Sequence, residues 1–171
     1  MRRSVLAWTV EIDPAATRAA YALLRTGAAE NCGCPACANF ESARPRHYPE
    51  PFRAILTAVG ADPRKELAVH LVAPLEEGLH LYAGAYAFCG EVLSGRPPRG
   101  FPFLREGVDV FERVAPGVHI ALRPWAAPEE PWAGRPCVRL EFLVVLPWVG
   151  GEGGAPAVNL DRGPRGLTSR N

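Results

Sequence analysis

The chain has 171 residues, 48% of them apolar and 22% charged, which supplies one globular domain with a real core and excludes a disordered chain. Its formal net charge of +1 excludes a global pull toward nucleic acid or an anionic membrane. Basic character is almost all arginine, with Lys65 the only lysine, and no basic helix face emerges.

Ser4 to Ile12 alternates, with Leu6, Trp8, Val10 and Ile12 on one face, and reads as a half-buried strand. Asp13-Pro14 supplies an N-cap with proline at the first helical position, so Ala15 to Thr26 reads as a helix that Gly27 stops. Tyr21, Leu24 and the alanines also suit a short strand. Gly27 to Pro35 is a loop, and Ala36 to Arg44 starts a short helix with Cys37 in its first turn. Glu50 to Val59 is a clearer helix, with Phe52, Ile55, Leu56 and Val59 on its apolar face and Gly60 at its end.

From there the pattern is β. Glu66 to Val72 alternates, and Pro74 to Gly78 turns. Leu79 to Leu93 forms a long strand bent at Gly84 and Gly90. One face carries His80, Tyr82, Tyr86 and Phe88, and the other the alanines and Cys89. Ser94 to Phe103 is a loop. Val108 to Val114 and Val118 to Trp125 flank a hairpin turn at Ala115-Pro116-Gly117. Val138 to Trp148 is the last strand, with Arg139 and Glu141 facing out. Gly150 to Asn171 has little to bury and is expected to be a flexible tail behind a single domain spanning 1–149. The expected class is α+β, with two or three short helices near the N-terminus and a mostly antiparallel sheet of about six strands.

Chemistry concentrates at Asn31 to Phe40, where three of the five cysteines, Cys32, Cys34 and Cys37, crowd together. Gly33 lets the backbone turn between the first two. No secretory signal and no membrane span is visible, which predicts a cytoplasmic protein with reduced thiols. Clustered cysteines there suggest metal or redox chemistry. Zinc takes four tetrahedral ligands, and Cys34 and Cys37 have the C-x2-C spacing of a zinc knuckle. Cys89 is the leading candidate for a fourth ligand, with Cys137, His80 and His47 as others. Cys89 and His80 have opposite parity on one strand, so both face the cluster only if Gly84 carries a bulge.

Two readings compete with a structural zinc site. In Cys34-Pro35-Ala36-Cys37 a sulfur near a helix N-terminus suits a redox or sulfur-handling thiol. The other is a metal-free interaction module whose cysteines pack as small hydrophobes. His80, Tyr82 and Tyr86 are candidates to line a pocket for a small molecule or protein partner, with Arg123 or Glu141 supplying charge; aromatic packing is the favoured alternative. No hydrolase elbow, phosphate loop, dinucleotide fingerprint or zinc-protease motif occurs.

Thr17-Arg18 with Tyr21, Gly27-Ala28, Cys32-Gly33-Cys34-x-x-Cys37-x-Asn39-Phe40, Ala43-Arg44, Tyr48-Pro49, Asp62-Pro63, Lys65-Glu66 and Gly78-Leu79-His80-x-Tyr82-x-Gly84 together resemble a family of small bacterial proteins without an assigned activity. The resemblance implies that the cysteine run is a motif and implies no substrate. Where that family tends to place a histidine after the position of Gly84, this chain has Ala85-Tyr86-Ala87-Phe88-Cys89.

Overall fold

The long apolar run starting at Leu79 becomes the spine of the protein. In a computed structural model, which describes residues 1–95, 111–126 and 128–150, the elements run β1 (Arg2–Val5), β2 (Trp8–Ile12), α1 (Pro14–Leu23), α2 (Ala28–Cys32), α3 (Pro35–His47), α4 (Glu50–Val59), β3 (Ala68–Pro74), β4 (Leu79–Ser94), β5 (Glu112–Ala115), β6 (Val118–Trp125) and β7 (Cys137–Pro147). They form one α+β domain whose seven antiparallel strands are ordered β1-β2-β4-β7-β6-β5, with β3 also on β4. The expected tail from 151 onward, most of the expected loop before Phe103, and Val108 to Val110 lie outside the described residues. No helix among the described residues is long and apolar enough to cross a membrane.

β4 pairs with β7 without a register shift from Leu79↔Pro147 to Cys89↔Cys137. Its opposite edge is shared. β3 covers Ala85 back to His80, and β2 covers Gly90 to Ser94. The gap between them is filled by α1. The Ala87 N–H donates to Tyr21 Oη at 3.1 Å, the Cys89 N–H donates to Thr17 Oγ1 at 3.0 Å, and the Cys89 carbonyl accepts from Asp13 N–H at 2.9 Å. Side chains of one helix turn thus replace a missing strand, so that the buried β4 backbone keeps its hydrogen bonds. Burial pushes the Tyr21 phenol well above its ordinary range, so it stays a neutral hydroxyl.

One sheet face is covered by α3 and α4. Phe40, Tyr48 and Phe52 from these helices surround Phe142 of β7, with ring centroids 5.9–6.4 Å apart, and Tyr86 of β4 completes the group at 5.4 Å. Gly84 sits opposite Phe142, and a side chain there would overlap both the Ala68 carbonyl and the Phe142 ring.

Several boundaries differ from the sequence reading. Ser4 to Ile12 is a hairpin rather than one strand, turning at Leu6-Ala7 with Leu6 at φ 51°. That turn lacks the glycine or asparagine that usually marks it. The first helix is a helix, not a strand, and Asp13 Oδ1 caps it through the Ala16 N–H at 2.9 Å. It ends at Leu23 because Lys65 Nζ donates to the carbonyls of Tyr21 and Leu24 at 3.0 and 2.7 Å. Gly27 instead begins α2, which the sequence reading had as loop. Glu66 lies before β3 and is buried, and Glu141 is buried rather than facing out because its Oε2 accepts from Arg123 Nε at 2.8 Å.

Gly84→Ala is expected to destabilise the protein by roughly 1–3 kcal/mol through overpacking against backbone and ring. Urea unfolding checks it, and the same substitution at Gly33, whose surroundings are open, tests backbone strain alone.

Candidate metal centre

The cysteine run folds as a helix–turn–helix junction rather than an open loop. Gly27 lies so close to the Arg64 carbonyl and the Glu66 carboxylate that a larger residue would collide with both. The Ala28 N–H donates to the Glu66 carbonyl at 2.9 Å, and the Ala29 N–H donates to Glu66 Oε1 at 2.7 Å. A buried carboxylate therefore caps the N-terminus of α2, where the free N–H groups favour negative charge. Arg44 of α3 donates to the other carboxylate oxygen and to the Arg64 carbonyl at 2.8 Å. Burial pushes the Glu66 carboxyl above its ordinary range, while the Ala29 N–H and the Arg44 guanidinium pull it back.

From that anchored end, α2 runs one turn to Cys32. Gly33 takes the left-handed conformation at φ 64°, Cys34 becomes the N-cap of α3, and Pro35 starts that helix. Cys37 follows in the first turn. The result brings the three Sγ atoms to within 4.8 Å of one another. Tetrahedral zinc with bonds of about 2.3 Å sets its sulfurs about 3.8 Å apart, so small side-chain rotations close the set. Cys32 is exposed, Cys34 half-buried and Cys37 buried. The N–H of Cys34, followed by the thiols of Cys34 and Cys37, holds the Cys32 thiol below its ordinary value. Burial pushes the Cys37 thiol well up.

Cys89 does not join the group. The β4–β7 ladder has no bulge at Gly84, so Cys89 keeps the parity opposite to Tyr82, and it lies across from Cys137 at the far end of the strand. His47 is exposed at the distal end of α3. His80 is buried but is not within the sulfur group. Its Nδ1 is 3.1 Å from the Gly78 carbonyl, which can only accept, so Nδ1 is the donor, while Nε2 is buried with no hydrogen-bond partner among the described residues.

His80, Tyr82 and Tyr86 do share one face, but they are buried in the core rather than lining an opening. Tyr82 Oη donates to the Ala36 carbonyl at 3.1 Å and accepts from Asn39 Nδ2 at 3.0 Å. Tyr86 Oη donates to the Pro63 carbonyl at 2.8 Å, which leaves Tyr48 as the donor in the 3.1 Å contact between the two phenols. Aromatic packing, the favoured alternative, describes them.

Asn39 braces the helix that carries the cluster. Its Nδ2 also donates to the Pro147 carbonyl at 3.1 Å, and its Oδ1 accepts from the N–H groups of Val149 and Gly150 at 2.6 and 3.2 Å. The amide is fully used and tied to the exit of β7. Glu66 and Arg44 were not singled out as a pair by the sequence reading. A carboxylate and a guanidinium in separate predicted elements carry no spacing that links them.

Comparison with family models, with curated proteins and with solved structures finds no match for the chain.

Arg44→Ala is expected to cost about 3–5 kcal/mol, because it leaves Glu66 buried without its counter-charge. The sign of the pH dependence follows. With the guanidinium gone, the folded-state carboxyl rises further above its unfolded value, so the folded protein holds the extra proton and loses stability as pH climbs between the two values. Urea unfolding should therefore show a larger loss at pH 8 than at pH 5, and Arg44→Met with Glu66→Leu should recover part of it.

Proposed function

We propose that Cys32, Cys34 and Cys37 hold a zinc ion as thiolates and that this site fixes the α2–α3 junction. The observation that carries the reading is the convergence of the three sulfurs within one short turn. A set of soft thiolate donors suits zinc, and it arises here from local backbone geometry, with Gly33 reversing the chain and α3 bringing Cys37 back toward Cys32. The start of α3 adds partial positive charge beside the thiolates.

The ion's role is structural on this reading. α3 supplies Asn39, Phe40 and Arg44 to the core, so the angle at which it leaves the turn sets how those side chains dock. Three protein thiolates would leave the fourth tetrahedral position to water or to a group from another molecule. The run C-G-C-x-x-C-x-N-F then marks a metal-site motif shared with the small bacterial family the chain resembles. A reducing compartment such as the cytoplasm keeps the thiolates available.

The competing reading makes Cys34 a nucleophilic thiol resolved by Cys37. Its support is the position of Cys34 at the N-cap of α3.

Protein purified without added metal is expected to contain close to one zinc per chain by elemental analysis. Cys34→Ser and Cys37→Ser are expected to lose it and to lower the melting temperature, whereas a Ser replacement of Cys89 should keep the zinc. Metal-free protein whose Cys34 is alkylated rapidly at neutral pH would overturn the zinc site and favour the thiol enzyme.

A further inference from the structure

Cys89 and Cys137 form a second sulfur site, remote in sequence from the first and on the opposite face of the sheet from Tyr82. They are direct partners in the β4–β7 ladder. The kind of pair they make follows from the hydrogen bonds at the ends of that ladder. The Gly90 N–H donates to the Pro136 carbonyl at 2.9 Å, and the Trp148 N–H donates to the Gly78 carbonyl at 2.9 Å. Those bonds make the even-numbered residues of β4 the hydrogen-bonded pairs. Odd-numbered Cys89 therefore sits in a non-hydrogen-bonded pair, where Cα atoms stand about 4.5 Å apart and side chains come closest. A disulfide spans Cα separations of about 4.4–6.8 Å, so the bond closes with little backbone movement.

Access is also provided. Cys89 is buried, yet it lines the wall of an open cleft of about 660 Å³ together with Asp13, Glu91 and Arg135. Cys137 is as buried as Cys89, is not among the residues lining the cleft, and donates its thiol to the Trp132 carbonyl at 3.7 Å. We propose that Cys89 and Cys137 are a thiol–disulfide site that forms a reversible cross-strand disulfide with low-molecular-weight disulfides as oxidant. Cys89, as thiolate, attacks one sulfur of the small disulfide and expels one thiolate. Cys137 then gives its proton to solvent, attacks Cys89 Sγ in the mixed disulfide and expels the second thiolate. Two protein thiols are oxidised and one disulfide is reduced to two thiols. Burial, then the neighbouring Cys89 sulfur, pushes the Cys137 thiol up to about 12, which makes Cys137 a poor first nucleophile.

The bond would join the end of β4 to the start of β7 and close the chain between them. Zinc-loaded, full-length protein incubated with oxidised glutathione, then alkylated in acid denaturant and digested, tests this. A Cys89–Cys137 linked peptide that dithiothreitol removes is expected, with a rise in melting temperature of roughly 5–10 °C. Cys137→Ser should stop at a Cys89–glutathione mixed disulfide. Recovery of both residues as free thiols, a wild-type protein halted at the mixed disulfide, or Cys89 linked to any of Cys32, Cys34 and Cys37 would each overturn the proposal. Because the readout is residue-specific, it stands apart from whether the first cluster holds zinc.

Discussion

The buried pair of Glu66 and Arg44 is the constraint on which the rest of the N-terminal half depends. The Glu66 side chain is fully buried and Arg44 nearly so. Removing two charges from water is costly, and hydrogen bonds to their lone pairs and protons offset part of that cost, although Arg44 Nε is buried without a partner among the described residues. Here one carboxylate oxygen caps α2, the other meets Arg44, and the guanidinium reaches the Arg64 carbonyl and lies 5.6 Å over the Phe40 ring. Those contacts hold the start of α2, the C-terminal half of α3 and the approach to β3 in one register. The cysteine turn lies between the two helices, so its geometry is inherited from them.

A second tie acts from the other side. Asn39 spends both ends of its amide on Tyr82, on the Pro147 carbonyl and on the N–H groups that follow β7. The helix bearing Cys34 and Cys37 is thereby fixed to the end of the sheet as well as to α2. A metal ion bound by the cysteines would act on the turn between these two anchors, the scale at which three ligands from six adjacent residues can act. The same β4 that receives Tyr82's contacts on one face carries Cys89 on the other. An uninterrupted ladder separates the two sulfur sites by parity and by length.

Local rules made much of this legible from the chain. The α4 helix, the β6 strand and the buried face of β7 were readable because their apolar periods agree with their caps and turns. The cysteine run was readable as a site because three soft ligands cluster in sequence, and clustering in sequence within one turn is clustering in space. By contrast, Leu6-Ala7 hid a hairpin because it bears no turn residue, and α2 hid because its cap comes from Glu66, distant in the chain.

What the sequence determined by itself is therefore the α+β class, most element positions and the convergence of Cys32, Cys34 and Cys37, since short-range backbone geometry sets all three. Tertiary structure alone decided that Glu66 joins Arg44, that Asn39 reaches the end of β7, that His80 and the tyrosines are core, and that Cys89 belongs with Cys137. Each of these is a meeting of residues from separate elements. Strand register and sheet order govern such meetings, and a one-residue slip in register would move every side chain of β4 to the other face.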